Sequence, residues 1–549
     1  MQICRNRVFG GLSAAVIVLG ASVSAAAAPR PASHDGPPVP SLSWHACAPE
    51  SPGQAAGFIC STARVPFDYR DPRGPAISLA LVKHAATDPA RRVGTLFVNP
   101  GGPGGMGTVQ VPAWIHFFPT ALSQRFDIVS WDPRGIGEST AVQCFDTGDQ
   151  EGAFLGENAL FPTNATQERS YIKTWNGFSR QCEKRVGKLL EHVSTAETAR
   201  DLDLLRSAVG DRQLRFLGLS YGTFLGATYA NLFPDRAGAL VLDGNLAPDN
   251  WTARGDRDPD FGITMRVGSD TGVGTDLAAL LRFCGATDTE HCAFSAGSPA
   301  ATASKFDSLL ARLREGPITL GSGPGATIVT YAELATGIGE ALDIVQPFAN
   351  PDIPSQSFQG WSGVAKVLEE VWEVGVESSA GATAAPPAAH VPPLAASAQY
   401  AGPEQALSVI CADAPNPQNP DRYIDLVPFV TRRSGPVSVP QMWADLPCAS
   451  WRAHTRVGYT GPWDRRPAHP FLVVGNTFDP STPYRNSTKM VKQLDDARLL
   501  TIDGYGHTEL LNPSSCATNY IVAYLLDGSL PPKGTVCQQD EAPFARLSP

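Results

Sequence analysis

The chain has 549 residues, 43% hydrophobic and 17% charged, with 52 Gly, 48 Pro and 11 Cys. That apolar share supplies a large packed core and excludes a disordered or fibrous chain. A formal net charge of −10, with no run of Lys or Arg, argues against a nucleic-acid binder, which must meet phosphates with a basic face.

The first segment sets the compartment. Residues 1–28 hold Arg5 and Arg7 and no acid, then an uncharged stretch from Val8 to Ala28 that ends in small residues before Pro29. These are the parts of a secretory signal peptide. A retained anchor is the alternative, since the uncharged stretch is about as long as a spanning helix needs, but its second half is mostly Ala, Gly and Ser, whose weak apolarity favours removal, so no membrane contact is expected after cleavage. Cys4 leaves with the signal, and ten cysteines remain for an oxidising compartment. That favours five disulfides over metal binding. The connectivity stays open, although spacing suggests local pairs: Cys47 with Cys60, Cys144 with Cys182, Cys284 with Cys292, Cys411 with Cys448, and Cys516 with Cys537. With no C-x-x-C and no His pair at helical spacing, a zinc site is not expected.

Residues 29–44 are a Pro-rich, flexible lead-in. Residues 45–249 read as the first part of an α/β core. Ala76–Val82, Val93–Val98 and Phe126–Trp131 are strand-like runs, and the last two end in Gly/Pro clusters. Residues 195–209 carry helical spacing in Ala199, Leu202, Leu205 and Val209. A strand Leu214–Leu219, a helix Tyr221–Leu232 and a strand Ala239–Leu242 follow. Strands alternating with helices make a mostly parallel sheet with helices on both faces. Residues 250–465 break the rhythm with helical pieces (Ala301–Glu315, Tyr331–Ile344, Val364–Val376) and an Ala/Pro-rich stretch, 378–398, and read as a large, mainly helical insertion. Residues 466–549 resume the core with Phe471–Val474, Leu499–Ile502 and the helix Tyr520–Leu526.

Gly218-Leu219-Ser220-Tyr221-Gly222 is the one G-x-S-x-G in the chain, and it falls between a strand and a helix, as that motif requires. The glycines allow a sharp turn that exposes the Ser hydroxyl at a helix N-terminus. A serine hydroxyl needs a base and an orienting acid, which follow it in the order Ser, acid, His. Asp479 stands just past the strand that begins at Phe471, and His507 comes 28 residues later in the loop Gly504-Tyr505-Gly506-His507. Asp243, also at a strand end, is the rival acid, and His454 and His469 are rival bases. An oxyanion hole would take the N–H of Tyr221 and another from Pro100-Gly101-Gly102-Pro103-Gly104-Gly105, where backbone can approach a substrate oxygen closely.

Taken together, Gly101-Gly102-Pro103-Gly104, Asp132-Pro133-Arg134-Gly135-Ile136-Gly137-Glu138-Ser139, Gly218–Gly222 and Gly506-His507 resemble the proline-iminopeptidase group of α/β-hydrolases. Asn99–Gly105, the signal, Cys448-Ala449-Ser450-Trp451 and Asp479-Pro480-Ser481-Thr482-Pro483 resemble more specifically the secreted bacterial tripeptidyl aminopeptidases. The resemblance implies an α/β-hydrolase fold with a helical cap, no metal or cofactor, and release of short peptides, tripeptides above all, from free N-termini. It implies Ser220 as nucleophile, His507 as base, Asp479 as acid, and Gly102 and Tyr221 as oxyanion donors. Glu333, Glu340 and Asp343 in the insertion are candidates for holding the substrate ammonium. Met106 departs from the small residue expected in the Gly-rich loop. An esterase or amidase with the same triad, and a non-catalytic binding protein on a hydrolase scaffold, are the alternatives. The expected partner is a peptide or small-molecule substrate, outside the cell.

Overall fold

The structure, a computed structural model, describes residues 36–254, 260–377 and 400–544. Residues 1–28, expected to be a signal peptide, the first part of the expected lead-in and the stretch 378–398 lie outside the described residues. From Pro37 on, the fold is organised by one ten-stranded sheet.

Its strands are β1 (His45–Ala46), β2 (Ile59–Pro66), β3 (Ala76–His84), β4 (Gly94–Asn99), β5 (Phe126–Trp131), β6 (Leu214–Leu219), β7 (Ala237–Asp243), β10 (Phe471–Phe478), β11 (Ala497–Tyr505) and β12 (Val536–Gln538). They lie in the order β1-β2-β3-β5-β4-β6-β7-β10-β11-β12. The β1–β2, β2–β3 and β3–β5 pairs are antiparallel, and every pair from β5–β4 onward is parallel. β8 (Ile318–Leu320) and β9 (Thr327–Val329) form a separate hairpin.

Strand composition follows from coverage on both faces. Every residue of β4 is buried, as expected for parallel strands sandwiched between helices. Successive side chains point to opposite faces, so Phe97 and Val98 serve different cores, as do Phe216 and Leu217. Phe97, Phe216 and Leu240 pack with Ala199, Leu202 and Leu205 of the helix Thr195–Ala208 and Phe224 and Leu225 of the helix Tyr221–Leu232. Val98, Leu217, Val241 and Val474 pack with Ile521 and Leu525 of the helix Ser515–Asp527.

Between β7 and β10 the chain builds a third core from helices that include Ser269–Gly285, Pro299–Glu315, Tyr331–Ala341, Gly360–Trp372, Pro403–Asp413 and Asp421–Ser434. Two helices end earlier than their spacing predicts. Tyr331–Ala341 stops short of Ile344, and the helix expected over Val364–Val376 starts at Gly360 and gives way to a wider turn at Glu373–Glu377. The helix Ala165–Leu190, which no sequence motif singles out, joins this core through Tyr171, Trp175 and Phe178. All five disulfides suggested by spacing are formed: Cys47–Cys60, Cys144–Cys182, Cys284–Cys292, Cys411–Cys448 and Cys516–Cys537.

Candidate active site

Ser220 sits between β6 and the helix Tyr221–Leu232 at φ 55° and ψ −122°. A non-glycine residue is strained there and held by its surroundings. Its N–H donates to Asp243 O at 2.9 Å. The flanking glycines are sterically required: a Cβ on Gly218 would stand 2.4 Å from Gly222 O, and one on Gly222 would stand 2.8 Å from Asn99 O. Gly101 has φ +99°, and a Cβ there would lie 2.6 Å from Leu219 O and 2.8 Å from Ser220 Cβ. The Gly-rich loop after β4 therefore lies directly against the turn that carries Ser220. Tyr221 opens the helix, so its N–H has no acceptor within it. Met106 turns into the core beside the sheet and does not line the cavity described below.

Asp479 follows the end of β10, and His507 follows β11. His507 Nδ1 lies 2.8 Å from Asp479 Oδ2 and 3.0 Å from Oδ1. The carboxylate is fixed on its far side. Its Oδ1 accepts from the N–H groups of Ser481 and Thr482 at 3.0 and 2.7 Å, and its Oδ2 accepts from Thr482 Oγ1 at 3.0 Å. His507 Nε2 is left without a hydrogen-bond partner. The rival acid Asp243 is bonded differently, its Oδ2 accepting from Glu509 N–H at 2.8 Å, in the loop that follows His507. The rival bases lie elsewhere, His469 being exposed and bonded to Gln213.

Ser220, Gly102 and His507 line one cavity of about 970 Å³, and Glu333, Glu340 and Asp343 line it too. The remaining wall is largely apolar, with Trp114, Leu334, Ile338, Phe358 and Val364. Val367 also lines it and is 47% exposed. The three acids differ in freedom. Glu333 closes a capping box with Thr330 at the start of its helix. Asp343 accepts from Ser481 Oγ at 2.7 Å, and Glu340 projects from the last turn of the same helix as Glu333.

A family described as TAP-like protein matches residues 436–537, and the alpha/beta hydrolase fold matches residues 94–275. The chain is 28% identical to Tripeptidyl aminopeptidase of Streptomyces coelicolor, over 95% of this chain and 89% of that one. It is 28% identical to Serine protease Hip1 of Mycobacterium tuberculosis, over 90% and 91%. Identity to Carboxylesterase B of the same organism is 30%, over 91% of each chain. The chain belongs to the TAP-like family of α/β-hydrolases. It is an enzyme, a serine hydrolase.

In this TAP-like hydrolase the imidazole is ringed by carboxyl groups. Burial opposes its charge, but Asp479, then Asp343 and Asp243, outweigh burial and push His507 up to about 9. Burial and the charge of Glu509 raise Asp243 to about 8. Burial raises Asp343 to about 6 against the pull of His507. Asp276, on the helix Ser269–Gly285, is raised to about 8 by burial and by Asp479 and Asp343. Ser481 and Thr482 were not expected at the site from sequence, although amides two and three residues after an Asp are the pattern of an Asx turn. Asp276 has no comparable signal. Among the described residues, one group has metal-ligand spacing, Asp68, His192 and Glu197. Asp68 there pairs with Arg70, and Glu197 stands 3.7 Å from Arg134, so the group is an ion-pair network, and none of the three lines the cavity.

Proposed function

We propose that the chain is a secreted serine exopeptidase that releases short peptides, tripeptides above all, from free N-termini. The observation that carries this reading is the shared cavity. Ser220 and His507 line the same chamber as Glu333, Glu340 and Asp343, and no Lys or Arg lines it among the described residues. Such a chamber offers an ammonium group a place beside the reacting pair. The names of the Tripeptidyl aminopeptidase and Serine protease Hip1 relatives support the same reading. Five disulfides, and no described helix long and apolar enough to cross a membrane, fit export directed by residues 1–28.

In the proposed reaction Ser220 Oγ attacks the scissile carbonyl carbon while His507 Nε2 takes its proton. Asp479 keeps Nδ1 protonated and stabilises the imidazolium that forms. The N–H groups of Tyr221 and Gly102 receive the oxyanion, where fixed donors in a water-poor site act most strongly. His507 then protonates the leaving amine, and water releases the acyl group by the reverse sequence. Glu340 and Asp343 hold the substrate ammonium, with Glu333 at the rim, and the helices over the chamber exclude long or folded chains.

The apolar wall and the relative named Carboxylesterase B favour a second reading, an esterase. A panel of free and N-acetylated mono-, di- and tripeptidyl aminomethylcoumarins, run beside p-nitrophenyl butyrate and Ser220→Ala, decides between them. Cleavage of free-amine peptides alone, lost in Ser220→Ala, is the expected result. Ester turnover without peptide turnover turns the reading to an esterase.

A further inference from the structure

Asp343 lies two residues past the helix Tyr331–Ala341, yet its bonds run into both loops that carry the candidate acid and base. Its backbone carbonyl accepts from His507 N–H at 2.7 Å and from Asn512 Nδ2 at 2.9 Å. Asn512 Nδ2 also donates to His507 O at 2.9 Å, and its Oδ1 accepts from Val345 N–H at 2.9 Å. The Asp343 carboxyl group accepts from Ser481 Oγ at 2.7 Å, and Ser481 N–H donates to Asp479 Oδ1 at 3.0 Å. One residue of the helical segment thus grips the base through its main chain and the acid through Ser481.

We propose that Asp343 is a positioning residue for the triad, holding the Asp479 carboxylate in register with His507 by way of Ser481. The proposal rests on the triad assigned above. Asp479 and His507 stand on loops from neighbouring parallel strands, so nothing in the sheet alone sets the 2.8 Å between them. The Ser481 loop is clamped from the helical layer on two sides, by the Asp343 carboxyl group and by Ser269 Oγ, which donates to Ser481 O at 2.7 Å. Displacements of an ångström in such a constellation cost orders of magnitude in rate. The helical segment is then part of the catalytic framework as well as a cover.

The Asp343 side chain also contributes charge. The groups that bear on His507 are Asp479, Asp343 and Asp243, while Asp276, Glu509 and Glu340 act on those carboxyls in turn. Neutralising Asp343 removes one support of the imidazolium, so the apparent pKa of the acid limb falls.

The test compares the wild type with Asp343→Asn, Asp343→Ala, Ser481→Ala and the Ala/Ala double variant. It reads kcat and KM on a free-amine tripeptidyl aminomethylcoumarin and on p-nitrophenyl butyrate, the pH profile of kcat/KM, and the rate of Ser220 labelling by an alkyl fluorophosphonate. Asp343→Ala and Ser481→Ala are each expected to lower kcat roughly 10- to 100-fold on both substrates and to slow labelling alike. The double variant should fall no more than about two-fold below the worse single one, because both remove one connection. Asp343→Asn keeps an acceptor for Ser481 Oγ, so it should recover most of kcat while lowering the acid-limb pKa. Additive losses, or an effect confined to KM for free-amine peptides, would overturn the proposal and leave Asp343 as an ammonium anchor only. If Asp343→Ala does not fold, Ser481→Ala at unchanged melting temperature carries the decision: unaltered kcat and labelling refute the proposal. Labelling that survives Ser220→Ala would instead refute the triad. Ester turnover without peptide turnover would refute the substrate reading and leave the Asp343 comparison intact.

Discussion

Replacing Asp479 by Asn tests the site most sharply, because the hydrogen bonds around this side chain dictate which way an amide must face. Oδ1 of Asp479 accepts from two backbone N–H groups, those of Ser481 and Thr482. Neither donor can meet an NH₂ group, so the amide oxygen of Asn stays with them and the NH₂ turns toward His507 Nδ1. The imidazole must then accept at Nδ1 and carry its proton on Nε2, the atom that takes the proton of Ser220 in the proposed reaction. The opposite amide orientation restores the productive tautomer but leaves the buried N–H of Thr482 and the part-buried N–H of Ser481 unpaired. At about 1–3 kcal/mol for each, that orientation lies about 2–6 kcal/mol higher, which corresponds to a kcat reduced by roughly 30-fold to 3 × 10⁴-fold. The assay is kcat on p-nitrophenyl butyrate and on the best peptide substrate, with circular dichroism to show an unchanged fold. A folded Asp479→Asn variant within ten-fold of wild type would refute the reasoning. Asp243→Asn is the control. Asn offers Glu509 N–H the same acceptor, and kcat is compared on the plateau above the His507 limb, so that a lower imidazole pKa in the variant does not enter. Its kcat should change by less than about three-fold.

A base must be neutral to accept a proton, and the carboxyl groups around His507 hold its pKa up, to about 9. kcat/KM should therefore rise with pH through an apparent pKa well above the ordinary 6.5 for histidine; a limb at or below 6.5 would contradict this electrostatic picture. Gly101→Ala places a Cβ 2.6 Å from Leu219 O on a backbone at φ +99°, so the loop must move off the Ser220 turn. Fluorophosphonate labelling should slow roughly 10²-fold, and wild-type labelling would refute the close approach. The Cys411–Cys448 bridge spans 37 residues and joins the helix Pro403–Asp413 to the turn Leu446–Ser450. Replacing both by Ser should cost about 4 kcal/mol of stability by chain entropy; an unchanged melting temperature would count against it.

Much of the core was legible because its signals are local. The strand Leu214–Leu219 and the helix Tyr221–Leu232 occupy the residues that the pattern marks, since a G-x-S-x-G turn can form only where a buried strand stops and a helix starts. The helix Ala165–Leu190 was legible in principle. Its buried Tyr171, Trp175, Phe178 and Cys182 fall at helical spacing, but charged and polar residues surround them and no chemical motif drew attention there. Helix ends in the insertion were read less well, because capping and packing against other helices decide where each one stops.

Asp243 and Asp479 show where local reading ends. Both close strands of the same parallel sheet, β7 beside β10, and both deliver a carboxyl group to the same edge. Only the path of the loop after β11 separates them, presenting a backbone N–H to one and an imidazole to the other. The sequence by itself determined the sharp turn at Ser220, the Gly-rich loop beside it and the strand–helix alternation, because steric limits on a few consecutive residues dictate each of these. Tertiary structure alone decided which carboxyl group meets His507, how far its surroundings shift the imidazole pKa, and the link from Asp343 to Ser481 across 138 residues. Contacts of that kind arise when a helical layer packs onto a sheet, and the short stretches that supply the two ends carry no pattern that announces the pairing.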